Sequence, residues 1–246
     1  MSGLTYLITG ANRGIGLGLV SHYLALENTT VIAAVRNPSS VSDLKALKVG
    51  SGSKLIIVKI DSVSTTDAAA AVQELKSKYQ ITHLDVVIAN AGLGSYWGPA
   101  LTTPIADFEA HFKVNATGTL ILFQAVHGLL SAAKEPKFVP IGTPVGSMGE
   151  MAKFPLPSTA YGSSKAALNF LTRKLHFEHE NMVIYPLSPG WVQTEMGRGA
   201  ATAVGMDDAP VTPEQSVAGL TRSIDTATRE KMGGVFASFD GTIYEW

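Results

Sequence analysis

Short runs of apolar, often β-branched residues alternate along this chain with longer stretches of spaced apolar positions. The runs cover residues 5–9, 31–35, 55–60, 86–89, 138–141, 182–187 and 235–239. Most lack a polar/apolar alternation, as strands do when both faces of a parallel sheet are covered by helices. Between them, 68–79, 107–130 and 163–180 have the length and spacing of amphipathic helices. This alternation predicts an α/β fold: a doubly wound, mostly parallel, seven-stranded sheet with helices on both faces, forming one domain over 1–246. Such sheets take ligands at the carboxyl ends of their strands, so candidate chemistry belongs where each run stops.

Composition narrows the function classes. Charged residues are 16% of the 246 and hydrophobic residues 46%. The charged share lies below the roughly 25% usual for soluble domains, which favours a large core and excludes disorder. A formal net charge of −1 leaves no basic excess for a nucleic-acid partner. The absence of Cys excludes disulfides, thiolate zinc sites and a Cys nucleophile. No apolar run approaches the length of a membrane span and the N-terminus carries no secretory pattern, so no membrane association and a cytoplasmic location are expected. His176 and His179 are three apart with no third ligand in view, so no metal is expected. Residues 197–213, rich in Gly, Ala, Thr, Asp and Pro, read as a mobile insertion and, with the residues just before them, as a lid over 195–213.

The first run ends in Thr9-Gly10-Ala11-Asn12-Arg13-Gly14-Ile15-Gly16, just before a helical pattern. Gly10 permits a tight turn, Gly14 removes a Cβ where a pyrophosphate must approach, and Gly16 lets the helix pack closely on the strand. The helix N-terminus adds unpaired N–H groups for phosphates. The spacing Gly-x-x-x-Gly-x-Gly resembles the cofactor loop of the short-chain dehydrogenase/reductases, a family with the Rossmann fold. The second run ends Val35-Arg36 with no acid to hold a ribose 2′-hydroxyl. Arg36 and Arg13 can instead pair with a 2′-phosphate, and in the family such basic residues accompany NADP(H), so NADPH/NADP+ is the expected cofactor. Asp61 after the third run either contacts the adenine, as the family implies, or caps the following helix. Asn90-Ala91-Gly92 resembles the family's Asn-Ala-Gly segment along the cofactor.

Tyr161 and Lys165, four apart on one helix, share a face. A phenol is a poor acid or base at neutral pH, and a neighbouring ammonium lowers its pKa. Tyr161 can then protonate a carbonyl oxygen or take a proton from an alcohol. The resemblance implies that Lys165 also reaches the nicotinamide ribose, and that Asn115, in Val114-Asn115-Ala116-Thr117-Gly118, anchors a water beside the lysine. The family normally ends its fifth strand in Ser-Ser, the second hydrogen-bonding the substrate carbonyl. Here Gly142-Thr143 stands at that point, and Thr143 carries an equivalent hydroxyl. Ser147 is the alternative: it fits the usual spacing to Tyr161 better but lies further past the strand. Assigning Thr143 makes 148–157 a local insertion.

Ser188-Pro189-Gly190-Trp191-Val192-Gln193-Thr194 resembles the family's Pro-Gly segment, with Thr194 on the nicotinamide carboxamide and Pro189, Gly190 and Val192 beside the cofactor. Leu93, Tyr96, Trp97, Phe154, Trp191 and Met196 are candidate walls of an apolar substrate pocket. The Asn12-Arg13 context and the C-terminal Phe239-Asp240-Gly241…Trp246 are most similar to the family's carbonyl-reductase branch, with norsolorinic-acid ketoreductase-like and Sniffer-like proteins. The resemblance implies reduction of a small-molecule ketone or aldehyde by a homodimer or homotetramer. NADP-linked alcohol oxidation uses the same residues, and a cofactor-binding sensor without turnover is the rival from another class.

Overall fold

The computed structural model describes residues 3–39 and 41–246. The chain begins with β1 (Thr5–Thr9), α1 (Gly14–Leu24), β2 (Thr30–Val35), α2 (Ser42–Lys45), β3 (Lys54–Lys59), α3 (Asp67–Ser77) and β4 (Val86–Ala89). It continues with α4 (Ile105–Phe112), α5 (Gly118–Ser131), β5 (Lys137–Pro140), α6 (Thr159–Glu178), β6 (Val183–Ile184), β7 (Leu187–Ser188), α7 (Glu195–Ala203), α8 (Pro213–Thr226), α9 (Arg229–Met232) and β8 (Ala237–Ser238). The main sheet has the order β3-β2-β1-β4-β5-β6, with every pairing parallel.

Two core layers explain the unbroken apolar runs. Tyr6, Ile8, Val31 and Ala33 face a layer containing Leu19, Tyr23, Leu220 and Ile224 of α1 and α8. The intervening Leu7, Ile32 and Ala34 face a second layer, with Val72 and Leu75 of α3 and Val126 and Leu130 of α5. Successive strand residues point to opposite faces, so both phases of the strand must be apolar.

Three expectations need correction. The main sheet has six strands, not seven, among the described residues; β7 and β8 form a separate parallel pair. The run at 182–187 is interrupted at Tyr185-Pro186, where proline cannot donate to a ladder. Alignment resumes at once, because Gly142 N–H donates to the Leu187 carbonyl at 3.0 Å. The stretch 107–130 is not one regular helix: a π-helical turn at Lys113–Thr117 separates α4 from α5. Finally, 197–213 is not a loose insertion. Thr194 caps α7 by accepting the Gly197 N–H at 3.2 Å. Ala200 and Ala201 are buried, and the chain returns to pair at Val192 and Val211. The good helix formers in this stretch, anchored by burial, prevail over its glycines.

Candidate active site

The glycine loop, the loop after β4, the turn after β5 and the Pro-Gly segment converge at the carboxyl ends of the strands. Gly10 and Gly14 have φ of +62° and +53°, backbone that side chains rarely tolerate. A Cβ on Gly10 would lie 3.0 Å from the Ala91 Cα. Asn90 Nδ2 donates to the Thr9 carbonyl at 2.9 Å and the Gly10 carbonyl at 3.3 Å. Ala91 N–H donates to Thr9 Oγ1 at 3.0 Å. Asn90 and Ala91 therefore fasten the glycine loop. Arg13 precedes α1 in extended conformation and gives it no side-chain cap, so the first-turn N–H groups remain available to an anion. Asn12 and Ile15 flank this opening, both partly buried. A narrow cavity beside it is lined by Thr9, Ile60, Ser62, Ala91, Gly118 and Thr119. Ile60, Ser62 and Thr119 carry no motif that a sequence reading could seize.

Arg36 stands exposed just past β2, and among the described residues it has no ion-pair partner. Arg13 pairs with Glu195 at the start of α7, which links the glycine loop to the expected lid. Asp61 accepts the Val63 N–H at 3.1 Å in a local turn. It is not a helix cap, because α3 begins only at Asp67, where Ser64 Oγ accepts the backbone N–H.

Asn115 lies in the π-helical turn, 1% exposed. Its Oδ1 accepts Leu93 N–H at 2.7 Å, and its Nδ2 donates to the Leu93 carbonyl and to Ser164 Oγ, both at 2.9 Å. Ser164 Oγ in turn donates to the Tyr161 carbonyl at 2.7 Å. Asn115 thus ties the loop after β4 to the helical turn carrying Tyr161. A Cβ on Gly92 would lie 3.3 Å from Asn115 Oδ1 and 3.7 Å from Lys165 Nζ, so a glycine there leaves room for both.

Tyr161 and Lys165 lie one turn apart on α6, with Lys165 Nζ 5.8 Å from the phenol ring centroid. Lys165 Nζ donates to the Ile141 carbonyl at 2.8 Å. Burial brings its ammonium down to about 8. The expectation of a lowered phenol is corrected: burial pushes the Tyr161 hydroxyl above the ordinary phenol range. Desolvation disfavours the charged form of each group, and burial alone sets both directions.

Thr143 is extended and partly exposed, its Oγ1 accepting Val145 N–H at 3.4 Å at the start of a 3₁₀ turn, Pro144–Gly146. A Cβ on Gly146 would meet the Lys165 backbone at 2.6 Å, so this turn rests directly on α6. Ser147 is 2% exposed; its hydroxyl donates to the Glu245 carbonyl at 2.6 Å and accepts Glu150 N–H at 3.0 Å. The site thus has one hydroxyl whose proton is uncommitted and one committed to the C-terminus. Gly142 has a packing reason: a Cβ there would lie 3.2 Å from Pro186 and 3.3 Å from Phe236.

The supposed pocket walls divide. Trp97 is tilted over Tyr161, centroids 5.2 Å apart. Met196 packs beside Gly94, where a Cβ would be 3.0 Å from it. Trp191 anchors α7 by donating to the Gly197 carbonyl at 2.8 Å. Tyr96 folds back on its own loop, donating to the Thr102 carbonyl at 2.9 Å. Phe154 packs edge-on against Tyr244 and braces the insertion. Pro189 accepts from Ser216 Oγ at 2.8 Å, and Gly190 (φ +77°) abuts Phe239. Val192 is buried and accepts the Thr194 N–H at 2.6 Å. The sequence reading missed His111, which is fully buried with its ring edge-to-face to Tyr161 at 6.4 Å. The available signal was its position four residues before Asn115. Among the described residues no three potential ligands gather into a metal site.

Comparison with known proteins matches this arrangement. The family model described as short chain dehydrogenase matches residues 5–204. The norsolorinic acid ketoreductase of Dothistroma septosporum is 45% identical, with 98% of this chain and 92% of that protein covered. The norsolorinic acid ketoreductase of Aspergillus parasiticus is 44% identical, over 98% and 90%. Among solved structures, the NADPH-bound carbonyl reductase from chicken fatty liver superposes with a TM-score of 0.86 at 26% identity, over 100% of both chains. Carbonyl reductase Sniffer of D. melanogaster gives 0.86 at 25%, over 99% of this chain and 100% of that one. The family-model match over residues 5–204 and relatives 44–45% identical over 98% of the chain show that the chain belongs to the short-chain dehydrogenase family of oxidoreductases.

Proposed function

We propose that the protein is an NADPH-dependent ketoreductase in which Tyr161 protonates the carbonyl oxygen. The observation that carries this is the Tyr161–Lys165 turn resting on the Pro144–Gly146 turn beside Thr143 and tied to Asn115 through Ser164, with only β4 between β5 and the strand of the glycine loop. The cradle left by Gly10 and Gly14 fits a dinucleotide pyrophosphate, with Arg13 and Arg36 for its 2′-phosphate. NADPH, when bound, supplies the hydride for the carbonyl carbon. Tyr161 carries its proton at neutral pH, as phenols do, so it can donate to the carbonyl oxygen, and the same residue would serve as the base in the reverse direction. The Lys165 ammonium offsets the charge left on the phenolate, while the Thr143 hydroxyl orients the carbonyl. The relatives' substrate, norsolorinic acid, makes it the first ketone to try. The test is NADPH consumption with that compound beside simpler aryl ketones; cofactor binding with no turnover in either direction would sink the reading.

Two expected results follow. NADPH should bind at least about tenfold tighter than NADH, since charge-assisted pairs to a phosphate are worth roughly 1.5–3 kcal/mol; equal affinities in a fluorescence titration would refute it. The rate of reduction should decline above pH ~8, because Lys165 is charged below about 8 and neutral above it; a profile flat to pH ~10 would exclude a role for that charge.

We also propose a cytoplasmic homodimer or homotetramer joined through α5 and α6, where Phe170 and Phe177 stand exposed. Among the described residues no helix is long and apolar enough to cross a membrane.

A further inference from the structure

Among the described residues no hydrogen bond restrains the Tyr161 hydroxyl, so packing alone holds its ring. Two rings do this: Trp97, tilted at 54° with centroids 5.2 Å apart, and His111, nearly perpendicular at 80° and 6.4 Å. His111 is itself locked. Its Nδ1 lies 2.6 Å from the Asp107 carbonyl, one turn back on α4. A carbonyl only accepts, so Nδ1 carries the proton. Its Nε2 accepts the Ser95 backbone N–H at 3.3 Å and therefore carries none. The ring is a neutral imidazole in one tautomer, with both nitrogens engaged and no exposed surface. Ser95 stands two residues before Trp97, so the imidazole that faces Tyr161 also tethers the loop bearing its other neighbour.

We propose that His111 is a positioning residue for Tyr161: it braces the phenol edge-to-face and, through Ser95, holds the loop that sets Trp97 against the same ring. This rests on Tyr161 being the proton donor. A general acid works only within hydrogen-bond reach of its target, and a misplacement of about 1 Å costs up to a hundredfold. With no exposed surface and both ring nitrogens bonded to backbone, His111 has no group left to reach a carbonyl or cofactor, so its effect must pass through the orientation of the phenol and the Trp97 loop.

The experiment pairs H111F with H111Q and Y161F. Phenylalanine fills the space but loses both hydrogen bonds, whereas glutamine retains a donor and an acceptor without a ring. For both His111 variants kcat should fall about tenfold to a hundredfold with NADPH affinity by fluorescence titration near that of the parent; H111F, which leaves the Ser95 N–H without its acceptor, should melt lower, so H111Q carries the comparison of melting temperature. A purely structural role would move melting and cofactor affinity along with kcat. Either folded variant keeping kcat within about twofold of the parent, while Y161F is inactive, overturns the His111 inference alone. An active Y161F overturns the proposed function instead, and this inference with it. Should the variants fail to fold, a long-range ¹H–¹⁵N spectrum of histidine-labelled wild-type protein decides. It should show His111 as the Nδ1–H tautomer; an Nε2–H tautomer or an imidazolium would sink the proposal.

Discussion

Tyr161→Phe is expected to abolish carbonyl reduction while leaving the fold and dinucleotide binding in place. The substitution removes one oxygen and keeps the ring that packs against Trp97 and His111. Loss of a positioned general acid costs about 10² to 10⁴ in rate, so kcat should fall by at least the lower figure. The glycine loop stands on Asn90, Ala91 and β1, none of which touches the phenol oxygen, so the dissociation constant for NADPH should stay within about threefold of the parent, under 1 kcal/mol. Single-turnover measurement with prebound NADPH separates the two quantities. A variant that retains most of its single-turnover rate would remove Tyr161 from the reaction. Lys165→Ala should behave differently. It removes the charge that offsets the phenolate and leaves the buried Ile141 carbonyl without its partner, so stability falls together with rate.

How much of this was legible from the chain depended on the distance over which each feature is decided. The strands were readable because both faces are buried, which leaves a local apolar run: 5–9 and 86–89 coincide with β1 and β4. The glycine loop was readable because its demands on Gly10 and Gly14 are backbone demands made within one turn. The π-helical turn around Asn115 was not, since a single wider turn leaves the apolar spacing of 107–130 almost unchanged. Thr194 was assigned a ligand role on resemblance, and its capping of α7 escaped notice because 197–213 reads as loop by composition. The phenol's pKa direction also escaped, because it is set by burial from several elements rather than by the lysine four residues away. Gly142 looked like a departure from the family pattern; its cause is Phe236, which approaches only through the separate β7–β8 pair.

The choice between Thr143 and Ser147 shows the same dependence and yields the second large effect. Spacing to Tyr161 favours Ser147, whereas position at the strand end favours Thr143. What separates them is Glu245, 98 residues beyond Ser147, whose carbonyl takes the serine hydroxyl in a buried bond. A hydroxyl donating there and accepting from Glu150 N–H has no proton left for a substrate. Thr143 Oγ1 only accepts, and weakly at 3.4 Å, so its proton stays free to point at a carbonyl oxygen on which negative charge develops. Thr143→Ala should therefore lower kcat about 10²-fold or more, the usual consequence of losing one such donor, with little change in melting temperature. Ser147→Ala should lower the melting temperature instead, since it leaves the Glu245 carbonyl and Glu150 N–H short of a buried partner at about 1–3 kcal/mol, while prebound-NADPH turnover stays near the parent's. Thr143→Ser should restore most of the lost rate, because only the hydroxyl is required. Full activity in Thr143→Ala together with a loss of rate in Ser147→Ala would reverse the assignment, and with Ser147 at the family's usual spacing to Tyr161 the stretch 148–157 would no longer count as an insertion.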